Sequence, residues 1–120
     1  MSGVFEWTDF LELAENLAAR QNDEAAARTA ISRAYYAAFH AGRDYLVRAG
    51  IPLDRSRNAH FQVRDVLREE SAHIGQDLEQ LHFWRKRADY DSPHLLDVTE
   101  QANTAVTVAR QTIEAIQAIP

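Results

Sequence analysis

Apolar residues recur along this chain at intervals of three and four positions, which is the spacing of amphipathic helices. Runs of β-branched residues are absent, and glycine and proline are rare. The pattern therefore predicts an all-α protein, an up-and-down bundle of four to five helices. The whole chain, residues 1–120, is expected to form one domain, because this length supports a hydrophobic core without disulfides or metals.

Capping residues place the start of the first two helices. Thr8 or Asp9 is expected to cap the first helix, with Glu12 in capping-box register three residues after Asp9. Asn22 and Asp23 break the chain and cap the second helix. That helix is predicted to reach residue 49.

Glycine and proline mark the later boundaries. Gly50 suits a left-handed C-terminal cap, and Pro52 prevents the second helix from continuing. A loop is predicted over residues 53–58, a third helix over 59–69 and a short break over 71–75, although Gly75 also suits the start of a fourth helix. Pro93 ends that fourth helix. A last helix follows, with Asp97 or Thr99 as its cap.

The second helix carries a polar stripe among small and apolar residues. Arg33, Tyr36 and His40 lie within an arc of about 60° at 100° per residue. A second stripe, which includes Ile31 and Tyr35, is the more obvious packing face. The polar stripe therefore needs a partner elsewhere in the protein.

The fourth predicted helix has an arginine where its apolar stripe calls for an apolar residue. Arg85 follows Leu81 by four positions and precedes Ala88 by three. Because a lone buried guanidinium is very costly, we expect Arg85 to pair with a carboxylate or to face a cleft or partner. Asp89, four residues later, is a ready ion-pair partner. Alternatively, the stripe rotates onto Trp84.

Composition limits the classes of function. The chain has 18 acidic and 13 basic residues, a net charge of −5, which argues against general coating of nucleic acid but leaves room for a local basic cleft. Arg85, Lys86 and Arg87 form such a local cluster. Twelve of the 13 basic residues are arginines. Their planar fork suits phosphate, although a GC-rich genome produces the same bias.

Several classes of site are not expected. The chain has no cysteine, so disulfides and cysteine-based zinc or redox sites are excluded. Glycine-rich phosphate loops and nucleophile elbows are missing from the sequence, and no cofactor is expected. The N-terminal residues lack a signal-peptide pattern and no apolar run is long enough to span a membrane, so a cytoplasmic protein is expected.

The five histidines differ in what they suggest. His40 lies on the polar stripe and is either a site residue or a hydrogen-bonded core histidine. His60 begins a helix, where it caps or packs, and His94 lies near the basic cluster. His73 and His82 are expected at the surface. No spacing of histidines and carboxylates indicates a metal site.

Three segments resemble a known family. They are SRAYYAAFHAGRDYL, NAHFQV and LHFWRKRADYD. These segments resemble the small stand-alone prokaryotic branch of the HEPN (higher eukaryotes and prokaryotes nucleotide-binding) domain superfamily, with its SRAYYAxFH and RxxADYD motifs. The resemblance covers nearly the whole chain.

The resemblance implies a helical bundle that forms a homodimer, in which the arginine-bearing segments of both protomers meet in a cleft. Many HEPN proteins are metal-independent endoribonucleases. Several are toxins paired with a small nucleotidyltransferase-fold antitoxin. Such an enzyme needs a base to assist attack by the ribose 2′-hydroxyl and an arginine to stabilise the charge that develops on the phosphate.

The resemblance also implies site residues. The ribonuclease site of the family is an arginine followed, after four to six residues, by a histidine. Here Tyr90 stands four residues beyond Arg85, and six residues separate His94 from Arg87. The candidate catalytic residues are thus Arg85, Tyr90 and His94. The candidate substrate-binding residues are Arg33, Tyr36, His40, Arg87 and Asp89.

Three functions remain open from the sequence. The first is a toxin-like ribonuclease. The second is a non-catalytic helical dimer that binds RNA, a nucleotide or a nucleotidyltransferase-fold partner, since Tyr90 stands where a histidine is expected. The third is a purely structural dimer, in which the polar stripe of the second helix forms an interface network.

Overall fold

The computed structural model describes residues 4–91 and 97–120, in which all regular secondary structure is helical. Five helices follow one another, which confirms the all-α bundle predicted from the apolar spacing. They are α1 Asp9–Ala18, α2 Glu24–Arg48, α3 Ala59–Glu70, α4 Ala72–Tyr90 and α5 Val98–Gln117. Within these described ranges, none of the helices combines the length and apolar character needed to cross a lipid bilayer.

Helix α2 is the centre of the bundle, because it packs against each of the other four helices. Most of its buried residues are alanines, which allow neighbouring backbones to approach closely. Gly42 has the same role against α3, since a Cβ there would lie 2.7 Å from Val63 Cγ1 and 2.8 Å from Leu67 Cδ1. The largest fully buried hydrophobic side chains of the bundle come from α2 and from the helices packed on it: Ile31, Leu46, Val63, Leu67, Leu78, Leu81 and Ile116.

Both ends of α2 form as predicted. Asp23 Oδ1 accepts a hydrogen bond of 2.9 Å from the backbone N–H of Ala26, which is an N-cap. At the other end Gly50 has a φ of 74°, and the N–H of Ile51 donates to the carbonyl of Leu46 at 2.9 Å. This left-handed glycine closes the helix in a Schellman motif.

The start of α1 differs from the prediction. The helix begins at Asp9 with Thr8 as N-cap, and the Thr8 side chain makes no capping hydrogen bond. Asp9 Oδ2 instead accepts a bond of 3.0 Å from the backbone N–H of Glu6, which precedes the helix. The predicted capping box with Glu12 is wrong, because Asp9 is already helical and its carboxylate turns back toward the preceding turn.

The later boundaries mostly agree with the sequence. The break between α3 and α4 is shorter than predicted, because Ser71 alone is extended and Gly75 lies inside α4. Helix α4 ends at Tyr90, and Pro93 lies outside the described residues. Asp97 precedes α5 with a φ of 55°, and its side chain makes no capping bond.

The N-cap residues of α1 and α2, Thr8 and Asp23, provide a matched test of how capping affects stability. We expect Asp23→Ala to lower the free energy of unfolding by about 1 kcal/mol, because the N–H of Ala26 loses its acceptor. Thr8→Ala is the control, with an expected change below about 0.5 kcal/mol. Urea denaturation followed by circular dichroism measures both. Equal losses in the two variants would contradict this assignment of the caps.

Candidate functional site

The polar stripe of α2 is covered in part by the segment around the start of α1. The ring of Trp7 stacks on His40 at 3.5 Å between centroids, with an angle of 11° between the planes. The guanidinium carbon of Arg33 lies 4.8 Å from the centre of the Phe10 ring and 4.9 Å from that of Tyr36. One half of the stripe therefore meets aromatic side chains of the same chain.

Arg85 of α4 is the partner of the rest of the polar stripe of α2. Its side chain is 16% exposed, and Nη1 donates to Asp89 Oδ2 at 3.3 Å, which confirms the ion pair expected from the sequence. Its guanidinium carbon lies between 5.5 and 6.0 Å from the ring centres of Tyr35, Tyr36 and Tyr90. Three electron-rich rings and one carboxylate thus compensate for the partial burial of this charge.

A short chain of hydrogen bonds connects α2 to this arginine. Arg33 Nη2 donates to Ser32 Oγ at 3.3 Å, and Ser32 Oγ donates to Asp89 Oδ2 at 3.4 Å. Asp89 therefore accepts from both Ser32 and Arg85. These four residues, with the two tyrosines whose rings contact Arg85 from the side of the polar stripe and from the end of α4, are called the Arg85 cluster: Ser32, Arg33, Tyr36, Arg85, Asp89 and Tyr90.

Of the remaining predicted site residues, His40 borders the Arg85 cluster, with its ring centre 6.4 Å from that of Tyr36, whereas Arg87 lies apart from it. Arg87 pairs with Asp91 at 3.4 Å on the exposed side of α4, and its guanidinium carbon lies 5.8 Å from the centre of the Phe83 ring. Burial, followed by the charge of Arg43, lowers the pKa of His40. His94 lies outside the described residues.

A second polar cluster lies between α3 and α4. Tyr35 Oη and His60 Nδ1 are 2.9 Å apart, and the His60 ring stacks on that of His82 at 3.7 Å between centroids. His73 is exposed as expected, but the prediction that His82 is exposed is wrong, because this side chain is only 8% exposed. Helix α4 packs against α3 as well as α2, so it buries two adjacent faces rather than the single stripe assumed from the sequence.

Glu79 completes this second cluster. Its Oε1 accepts a bond of 2.6 Å from Arg64 Nη1 and lies 3.6 Å from His60 Nε2. One ring nitrogen of each histidine and a Glu79 oxygen all lie within 4.8 Å of one another. The sequence interpretation missed this group, although Glu79 and His82 are spaced i,i+3, a spacing that lets one helix supply two ligands.

Burial controls the charge of the histidines in this cluster. Desolvation lowers the pKa of His60, against the opposing effect of Glu79. Burial, followed by the proximity of His60, lowers the pKa of His82 to about 4. Both rings are therefore neutral at pH 7.

Another concave surface lies near the end of α2, away from the Arg85 cluster. It is a groove of about 500 Å³ whose lining includes Arg43, Arg55 and Arg57 together with apolar side chains. The groove contains none of the predicted site residues. Its three arginines make this groove a second candidate for anion binding beside the Arg85 cluster.

Comparison with known proteins does not identify a function for either polar cluster. No protein-family model matches the chain, and no curated protein is significantly similar to it. The resemblance to HEPN domains thus rests on the sequence motifs that carry Tyr36, His40, Arg85 and Asp89. Its functional consequences are proposals.

We expect acid to destabilise the fold through the buried histidines. The unfolded chain binds a proton at His82 below its ordinary pKa of 6.5, whereas the folded chain does so only near pH 4. Stability therefore falls as the pH falls from 7 to 5, by about 2 kcal/mol from His82 alone. Urea denaturation in the presence of a chelator at several pH values measures this slope.

Two substitutions separate the contribution of His82 to the pH dependence of stability from the contributions of other titrating groups. His82→Gln is expected to flatten the slope between pH 7 and 5, because glutamine does not titrate. His73→Gln, on the exposed side of the same helix, is expected to leave the slope unchanged. A wild-type stability that is constant over this range contradicts the assignment, as does an unaltered slope in His82→Gln.

Proposed function

We propose that this chain is a HEPN-type helical domain that binds RNA at the Arg85 cluster and cleaves it without a metal ion. The observation that carries the proposal is the setting of Arg85. The Arg85 guanidinium lies among three tyrosine rings, at a position where the apolar stripe calls for an apolar residue. An arginine is an unusual residue for a position that serves only the stability of the fold. The HEPN-like motifs supply the class of reaction.

Arg85 retains capacity to bind phosphate. A guanidinium has five N–H donors, and the ion pair with Asp89 involves Nη1. Its Nε also lacks a hydrogen-bond partner among residues 4–91 and 97–120, but this atom is buried, so a phosphate reaches it only when neighbouring side chains move. Arg33 is bonded to Ser32 in the same cluster and adds a second positive charge. The cluster therefore suits an RNA phosphate, and a rigidly held arginine stabilises charge that develops on it.

Cleavage requires a group that accepts the proton of the ribose 2′-hydroxyl. The 2′-oxygen then attacks phosphorus, and the bond to the 5′-oxygen breaks as that oxygen takes up a proton, which yields a 2′,3′-cyclic phosphate and a 5′-hydroxyl end. His40 or His94 is proposed to move these protons, since neutral imidazole is a suitable base. The exposed ring of Tyr90 is proposed to orient or stack on a base.

A homodimer is part of this proposal. Phe83 is 50% and Tyr90 77% exposed, and with Arg87 they follow one stripe of α4 at spacings of four and three residues. Exposed aromatic and arginine side chains are typical of interfaces. We propose that two copies associate along this stripe and that the two Arg85 clusters then face one cleft. A nucleotidyltransferase-fold antitoxin is the second proposed partner.

We expect the chain to cleave RNA in the presence of a chelator, with products that end in a 2′,3′-cyclic phosphate. Arg85→Ala is expected to lower the rate by about 10² to 10³-fold, because charge on the phosphate loses its donor. Arg55→Ala, in the separate arginine-lined groove, is the matched control and keeps its rate. Gel assays with end-group analysis measure both, and circular dichroism verifies folding.

The outcomes separate cleavage from binding. No cleavage by a verified wild-type dimer, together with tight binding of an RNA that Arg85→Ala fails to bind, leaves the binding module as the function. The exposed Tyr90 at the expected histidine position favours this second candidate. Loss of activity in Arg55→Ala, with Arg85→Ala unaffected, contradicts both assignments to the Arg85 cluster.

We expect Phe83→Glu to weaken self-association by about tenfold or more, because a charge replaces an aromatic contact at the proposed interface. Phe61→Glu is the control, because Phe61 is also an exposed aromatic residue but lies on α3, outside the proposed interface. Sedimentation equilibrium measures both variants. A wild-type chain that remains monomeric at 100-fold the concentration of the cleavage assay contradicts the dimer.

A further inference from the structure

Three potential metal ligands converge between α3 and α4. His60 comes from α3, and Glu79 and His82 come from successive turns of α4. One ring nitrogen of each histidine and a carboxylate oxygen of Glu79 lie within 4.8 Å of one another. Two helices thus bring together a set of donors that no local sequence pattern contains in full.

Two of the donors are buried and lack a partner. His60 is 5% and His82 is 8% exposed. His60 Nε2 and His82 Nδ1 make no hydrogen bond within the part of the chain that the structure describes. Buried polar nitrogens are normally satisfied by a hydrogen bond, and leaving one unpaired is destabilising. A shared ligand that accepts electron pairs from both histidines removes this cost.

We infer that His60, Glu79 and His82 bind one divalent transition-metal ion, of which Zn²⁺ is the best match. Imidazole nitrogens suit zinc and its neighbours in the transition series and disfavour Mg²⁺ and Ca²⁺. Two histidines and one glutamate are an established ligand set for zinc, with water at the fourth position. Glu79 is partly exposed, so its side of the site is open to that water.

The distances indicate how far the site must adjust. Zinc bonds of about 2.1 Å place tetrahedral ligands about 3.4 Å apart, and His60 Nε2 already lies 3.6 Å from Glu79 Oε1. The two stacked rings are inclined by only 18°, so the His82 ring must rotate out of the stack to direct its lone pair at the shared ion. Metal binding is therefore coupled to a rotamer change of His82.

The surroundings support the ligands. The hydroxyl of Tyr35 bonds to His60 Nδ1 and thereby fixes the ring with Nε2 toward Glu79. Arg64 bonds to Glu79 and also to Asp65, so it keeps an anionic partner when the Glu79 carboxylate turns to the metal. The ion would join α3 to α4. This inference does not depend on the proposed RNA cleavage.

Metal binding is tested on the full chain after removal of metals and chelator. Zn²⁺ titrated by calorimetry is expected to bind at one equivalent per chain, and excess Zn²⁺ at about 100 times its Kd is expected to raise Tm by roughly 10 °C. Co²⁺ is expected to give the visible absorption of a four-coordinate site. His82→Gln and Glu79→Gln are each expected to weaken binding at least tenfold.

His73→Gln is the control, because the exposed His73 and the half-buried Asp77 form an i,i+4 pair on the same helix that can also attract a metal. This variant is expected to keep the wild-type affinity. Absence of saturable binding in the wild-type chain overturns the inference. Loss of binding in His73→Gln, or affinity within threefold of wild type in folded His82→Gln or Glu79→Gln, overturns it as well.

Discussion

The contacts of Tyr35 hold the polar interior of this bundle together. Its ring lies against the guanidinium of Arg85, and its hydroxyl bonds to His60. The side chain is 3% exposed, and burial raises its pKa, so it stays neutral and keeps its hydroxyl proton. One buried tyrosine on the central helix therefore connects the Arg85 cluster to the histidine cluster.

This arrangement explains why α2 has a polar stripe. The stripe adjoins a guanidinium that α4 inserts where an apolar residue would pack, and the aromatic rings of α2 partly surround that charge. The polar residues that α2 and α4 bury thus form two groups of interacting side chains rather than isolated polar sites. Three buried nitrogens at these two groups, Arg85 Nε, His60 Nε2 and His82 Nδ1, have no hydrogen-bond partner among residues 4–91 and 97–120. The proposed phosphate and metal ion would supply their partners.

The sequence predicts the features that depend on local spacing. The interrupted stripe identifies Arg85, the i,i+4 rule identifies Asp89, and Gly50 identifies the end of α2. Features that depend on contacts between distant segments are missed. His82 is buried because α4 packs against α3 as well as against α2 and α5, and Trp7 covers His40 because the start of the chain folds back onto α2. Neither relation has a signature within a single helical pattern.

The most direct test of the central claim is an NMR titration with an RNA dinucleotide whose 2′-hydroxyl is replaced by hydrogen. We expect the Nε–H resonance of Arg85 and the ring resonances of Tyr36 and Tyr90 to shift together and saturably, because a phosphate at the Arg85 cluster contacts all three. Shifts confined to Arg43, Arg55 and Arg57, with Arg85 unchanged, would contradict the account.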